Sequence, residues 1–150
     1  MFVYTVKWNK KTALLIILIA ALVICALILL IGALKGSGSG ARVSNTQERV
    51  EYLESLGWEI QPESEIERSV VIPREFSEIY SAYNQLQLAQ GYDLSKYCGL
   101  NVNVYTYSIL NYKGYTGHVV AEVYVYNSEI VGGDVHSLEL DGFMHGLKAK

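Results

Sequence analysis

Residues 100–126 read LNVNVYTYSILNYKGYTGHVVAEVYVY. Val and Tyr, which favour a pleated and half-buried surface, fill two runs at 100–110 and 118–126. The loop between them, 111–117, contains glycine, so the pattern predicts two long antiparallel strands. Successive side chains in a strand point to opposite faces. Tyr105 and Tyr107 alternate with Val102 and Val104, and Tyr124 and Tyr126 alternate with Val123 and Val125. The expectation is a tyrosine face and an aliphatic face on the same sheet, with the aliphatic face as core.

Working outward, residues 127–129 form a tight turn into a third strand at about 130–140, where Gly132 and Gly133 suit a bulge. Before the strands, residues 44–48 (SNTQE) carry a capping-box pattern, and Val50, Leu53 and Leu56 recur at helical spacing up to Gly57. This predicts a helix at 46–56. Two short strands are expected next, at 58–60 and 66–72, split by a turn at 61–64 and closed by Pro73. A second helix follows, with Phe76, Ile79, Tyr80, Tyr83 and Leu86 as its stripe and Gly91 as its stop. The fold class is α+β: a small antiparallel sheet with both helices packed on one face.

Residues 36–40, GSGSG, carry almost no side chain and read as a flexible linker within 35–45, which leaves 46–150 as the domain. Upstream, residues 12–34 contain no charged side chain and are long enough, at about 1.5 Å per residue, to cross the roughly 30 Å hydrocarbon core of a bilayer. A retained transmembrane helix is expected rather than a cleaved signal peptide, whose apolar region runs about 7–15 residues and ends at small residues. Ile24 is too bulky for Cys25 to mark a lipoprotein site. Lys7, Lys10 and Lys11 precede the span against Lys35 and Arg42 after it, so residues 1–11 are expected in the cytoplasm and the domain outside.

All fifteen acidic residues, but only eight of the twelve basic ones, follow residue 40, a formal balance of −7. Nucleic acid is a poor partner for such a surface. The cysteines, Cys25 and Cys98, fall on either side of the membrane boundary and cannot pair within one chain.

The segments RVEYLESLGWEI, VVIPREFSEIYSAYNQLQLAQGYDLSKY and, above all, the ending GGDVHSLELDGFMHGL resemble the bacterial family labelled domain of unknown function forty-eight-thirty over residues 46–147. That resemblance implies a membrane-anchored architecture and no assigned activity. A helix followed by a meander is also similar, in topology alone, to PepSY-type extracytoplasmic domains, which restrain or bind other proteins.

Candidate sites divide into three. Asp134, His136, Glu139, Asp141 and His145 are metal-ligand types, but their spacing matches no zinc signature, so they read as turn residues and a solvated strand edge; no metal or cofactor is expected. Cys98 has no flanking signature of a catalytic thiol and reads as a small buried hydrophobe. A hydrolase built on His136 and His145 with an acid, or on Cys98, is the alternative function. The favoured reading is a non-enzymatic interaction domain that contacts an envelope protein, peptide or glycan. Its surface would comprise the platform of Tyr105, Tyr107, Tyr124 and Tyr126, with Gly132, Gly133, Asp134, Phe143 and Met144.

Overall fold

The computed structural model describes residues 40–149; the expected cytoplasmic segment 1–11, the span at 12–34 and residues 35–39 lie outside the described residues. No helix among the described residues is long and apolar enough to cross a membrane. The elements run α1 (Thr46–Ser55), β1 (Ile60–Val71), α2 (Glu78–Leu88), a 3-10 turn (Leu94–Tyr97), β2 (Asn101–Ile109), β3 (Val119–Tyr126), β4 (Glu129–Ser137) and β5 (Met144–His145). The five strands form one antiparallel sheet in chain order. The α+β class holds, with two helices on the sheet.

Local chemistry fixes the helix ends. The Asn45 side chain accepts from Glu48 N (2.9 Å) and the Glu48 carboxylate accepts from Ser44 N (2.5 Å), so two amides at the start of α1 are satisfied reciprocally. Gly57, at φ +101°, ends that helix in a conformation side chains resist. Ser77 caps α2 by accepting from Tyr80 N, so the helix starts well after Pro73 and Phe76 precedes it. Asn127 and Ser128, both at positive φ, make a two-residue hairpin loop whose twist matches the strands.

Three expectations are corrected. The two short strands at 58–60 and 66–72 are one strand. Residues 62–65 bulge out opposite Tyr107, between the pairs Gln61–Ser108 and Ile66–Thr106, because Pro62 has no amide to give the ladder. The expected linker at 35–45 is too long: the folded unit begins at Gly40, with Val43 buried and its amide bonded to Ser128 O. The helices, thirdly, lie on opposite faces. Val50 and Leu53 of α1 pack with Tyr105, Tyr107, Ala121, Val123 and Val135. Tyr80 and Tyr83 of α2 pack with Val102, Val104, Val131 and Tyr124.

Register explains the last result and removes the tyrosine platform. Val104 pairs with Tyr124 and Tyr105 pairs with Val123, so the tyrosines of β2 and β3 point to opposite sides of the sheet. Tyr105 and Tyr107 are core under α1, Tyr107 with no exposed surface, and Val123 and Val125 share their side. Tyr124 and Tyr126 share the α2 side with Val102 and Val104.

The outer edge of β4 is closed along its length. Ala41 O accepts from Ile130 N, β5 pairs with Val135 and His136, and between them Gln87 of α2 offers Oε1 to Gly133 N (2.9 Å) and Gln90, just past the helix, donates Nε2 to Gly133 O (3.0 Å). An open edge invites pairing with another chain, and here side-chain amides replace a strand. The bulge in β4 falls at Val131, beside the glycine pair rather than on it. A Cβ on Gly133 would lie 2.5 Å from the Glu122 carbonyl and 2.6 Å from Leu147. Gly133→Ala is therefore expected to lower stability by about 1–3 kcal/mol through overpacking, and Tyr107→Ala by about 3–5 kcal/mol through lost burial. Urea unfolding followed by far-ultraviolet circular dichroism would measure both; a Tyr107 loss below about 1 kcal/mol, the range of surface changes, contradicts its place in the core.

Candidate functional site

The bulge at residues 62–65 carries Glu65 to Tyr107 and to Arg49 of α1 (2.9 Å). Arg49 also bonds the Tyr107 hydroxyl (2.8 Å), and its guanidinium stacks 3.6 Å from the centre of the Tyr105 ring. Burial works against the Glu65 charge, but the Tyr107 and Arg49 hydrogen bonds outweigh it and hold the carboxyl below its usual range. Burial likewise opposes the Arg49 charge, and its bonds to Tyr107 and Glu65 raise its pKa. Arg49 and Tyr107 are buried and each of the three groups bonds the other two, so the network holds α1 on the sheet.

The α2 side differs. A groove of about 740 Å³ opens between α2 and the sheet, a size typical of ligand sites. Its walls are Ile79, Tyr80, Tyr83, Leu86, Tyr124 and Met144; its floor is Arg68, Glu122, Asp134 and His136. Alternation in paired strands builds this floor: Glu122 of β3 lies opposite Asp134 of β4, and His136 follows two residues on, facing the same way. Asp134 Oδ1 meets His136 Nδ1 (2.7 Å) and its Oδ2 accepts from Tyr83 OH (2.5 Å). Glu122 Oε1 accepts from Thr106 Oγ1 (2.9 Å) and its Oε2 from Arg68 Nη2 (2.6 Å). Burial, reinforced by the neighbouring Asp134 charge, pushes the Tyr83 hydroxyl pKa up, and burial raises Tyr80 to about 12. Both remain neutral hydrogen-bond donors at physiological pH.

Of the metal-ligand types singled out in the sequence, only Asp134 and His136 come together. Glu122 joins them, with one ligand atom from each within 4.8 Å of the others. Glu139 and Asp141 are exposed. His145 pairs with Val135 on the opposite face, where its Nε2 meets Tyr112 OH (3.0 Å) and its ring stacks on Phe143. His136 and His145 therefore cannot share a hydrolytic centre. Cys98 is half-buried at the rim of the α2-side cluster, and the hydrogen bonds of His136 and His145 go to Asp134, Tyr112 and the Gly146 carbonyl rather than to it.

The expected partner residues separate likewise. Tyr124, Asp134 and Met144 line the groove. Tyr126 packs edge-on against Tyr97, and Phe143 packs on Tyr112 and Tyr115. Gly132 and Gly133 are covered by Gln87, Leu94 and Leu147. Two groove residues, Arg68 and Glu122, went unnoticed in the sequence. Their signal was faint: a charge at an inward position of an otherwise aliphatic strand, VVAEVYV, demands a partner once buried. Of the expected stripe, Phe76, Tyr80 and Tyr83 do pack against the core, but Ile79 is 84% exposed, and Asn84 and Gln87 are buried in addition. Those two are inside because they satisfy backbone, Asn84 Oδ1 taking Leu94 N (2.8 Å) and Gln87 Oε1 taking Gly133 N.

The hydrogen bond that His136 donates to Asp134 raises the His136 pKa above its ordinary 6.5, with desolvation opposing and the Asp134 and Glu122 charges aiding; Arg68 works against it. A histidine raised on folding contributes stability that is fully present below its unfolded pKa and is lost as pH rises through the folded value. The melting-temperature difference between the native chain and His136→Gln is therefore expected to be larger at about pH 5.5 than at about pH 8. A difference independent of pH would show that the pair contributes no protonation-linked stability.

No curated protein and no solved structure matches the chain. A family model described as "Domain of unknown function (DUF4830)" matches residues 52–135, more than half of the chain, from within α1 to near the end of β4. Of the ending that seemed most specific, only GGDV falls inside the match; the remainder folds back as β5 and the aromatic cluster around Phe143. The matched span nonetheless contains the β2–β3 hairpin, α2 and three of the four floor residues, Arg68, Glu122 and Asp134, with His136 one residue beyond it, and the chain belongs to the DUF4830 family.

Proposed function

We propose that this protein is a single-pass, membrane-tethered interaction module, its N-terminus in the cytoplasm and its α+β domain outside the cell membrane, which binds a peptide or envelope protein in the groove between α2 and the sheet. The observation that carries the reading is the groove itself. An open cavity of about 740 Å³ has apolar walls of Ile79, Tyr83 and Met144 above a few convergent polar groups, the composition of a recognition site. Ile79 and Met144 are both exposed at its rim, where a monomer gains little by presenting them to water. The tether rests on the uncharged run at 12–34 and the lysines before it, and the GSGSG segment gives the domain reach.

The groove replaces the tyrosine platform as the contact surface. It keeps Tyr124, Asp134 and Met144 from that earlier surface and discards Tyr105 and Tyr107, which are interior. The sheet supplies a rigid floor, so ligand specificity would come from fixed groups.

Two measurements test the reading. A protease added to intact cells is expected to remove the domain while the segment before residue 35 stays in the membrane fraction; a protected domain contradicts the topology. A photo-crosslinking side chain at Ile79 is expected to give one adduct of defined mass in cells, and the same group at the exposed Glu51 of α1 is expected to give none. Equal adducts at both positions, or none at Ile79, would remove the groove from the function.

A further inference from the structure

The domain holds two Arg–Glu pairs, one on each side of the sheet, and they are built in opposite ways. In Arg49–Glu65 the arginine is the enclosed member, its side chain 7% exposed and stacked on Tyr105. In Arg68–Glu122 the acid is enclosed, 6% exposed, and the arginine is 50% exposed. A buried carboxylate costs a great deal unless paired, so Glu122 requires a cation beside it. Nothing comparable holds Arg68: its guanidinium has one side-chain bond, to Glu122, and its half-exposed side chain lines the groove floor.

We propose that the groove binds a peptide segment presenting an arginine next to an apolar residue, and that Arg68 is an internal stand-in for that arginine. This rests on the reading of the groove as a binding site. On binding, the peptide guanidinium takes the place of Arg68 against Glu122 Oε2, and Arg68 moves out into solvent. The exchange keeps Glu122 paired throughout, whereas a neutral or anionic ligand that displaced Arg68 would leave a buried charge alone. The neighbouring apolar residue lies on the wall of Ile79 and Met144, which is otherwise uncovered. Residues 41–150 carry a formal −7, which draws basic segments toward the domain. The occupancy of the seat by an arginine side chain shows that the space fits one.

A divalent metal is the competing occupant, since Glu122, Asp134 and His136 stand near one another. Asp134 is engaged by His136 and Tyr83, and Glu122 by Arg68 and Thr106, while His136 keeps Nε2 for a metal. A metal would still have to evict Arg68 and draw Glu122, Asp134 and His136 together around itself, and an arginine has to replace only Arg68.

The test uses the full-length chain in detergent. Arg68→Ala removes the internal competitor and is expected to melt earlier than the native chain. Ethylguanidinium at millimolar concentration is expected to restore part of that loss, its neutral isostere ethylurea to restore none, and Arg68→Ala/Glu122→Gln to respond to neither. The dipeptide Phe-Arg-amide is expected to shift the NMR signals of Tyr83 and Tyr124 in the native chain and to bind Arg68→Ala about ten-fold more tightly, because the competent state no longer competes with Arg68. If Arg68→Ala does not fold, the native-chain titration alone decides: signal changes at Tyr83 and Tyr124 support the proposal and their absence overturns it. Failure of every organic cation, stabilisation by zinc chloride instead, or benzylguanidine binding as tightly as the dipeptide would each overturn the assignment of an arginine peptide. Groove-specific crosslinking at Ile79 together with no response to cations would leave the groove standing as a binding site and remove only the arginine chemistry.

Discussion

With Val104 opposite Tyr124 in the ladder between β2 and β3, each face of the sheet receives a mixture of aliphatic and aromatic side chains. Neither face can then be left to water: one carries Tyr105, Tyr107 and Val123, the other Val102, Val104 and Tyr124. A pairing shifted by one residue would have sorted tyrosine from valine and allowed one bare face. The observed register requires a cover on both sides, and α1 and α2 provide it. The groove follows from this arrangement, because α2 covers its face incompletely and leaves a cavity above the strip from Arg68 to His136.

The two covers are fastened by different chemistry. On the α1 side, Arg49 is enclosed by Tyr105, Tyr107 and Glu65, and the bulge at 62–65 brings that carboxylate within reach. A buried arginine paired with a carboxylate and a hydroxyl suits a fixed joint, since removing the carboxylate would strand its charge. On the α2 side the helix is fastened at its middle through Tyr83 to Asp134, and at its C-terminal end through Gln87, with Gln90 just past it, to Gly133. These anchors hold the helix in place while the apolar rim around Ile79 remains uncovered. One sheet thus has a sealed side and a receptive side.

Edge protection and site construction share the same residues. Gly133 lets Gln87, Gln90 and Leu147 come close enough to close the outer edge of β4, and the next residue, Asp134, turns into the groove. The strand therefore cannot change its edge chemistry without moving the acid that orients His136. Both requirements lie inside the span shared with the family, 52–135, although the Leu147 and Met144 contacts come from beyond it.

The sequence by itself determined the local structure. Cap residues at 44–48 and Gly57 set α1, the Val and Tyr runs set β2 and β3, and the α+β class followed, because capping and alternation act between residues close in the chain. The uncharged run at 12–34 and the lysines before it supplied the expectation of a tether on the same local grounds. What only the tertiary structure decided was pairing. Alternation gives two faces to each strand, but whether Tyr105 shares a face with Tyr124 depends on register, which the turn lengths and the packing of both helices select together. The buried positions of Asn84 and Gln87 were hidden for a related reason: a polar side chain goes inside when it meets an unpaired amide, and that amide lies 10 residues away for Asn84 and 46 for Gln87. Arg68, Glu122, Asp134 and His136 come from three strands, and they form a site because a sheet folded in this register puts them side by side.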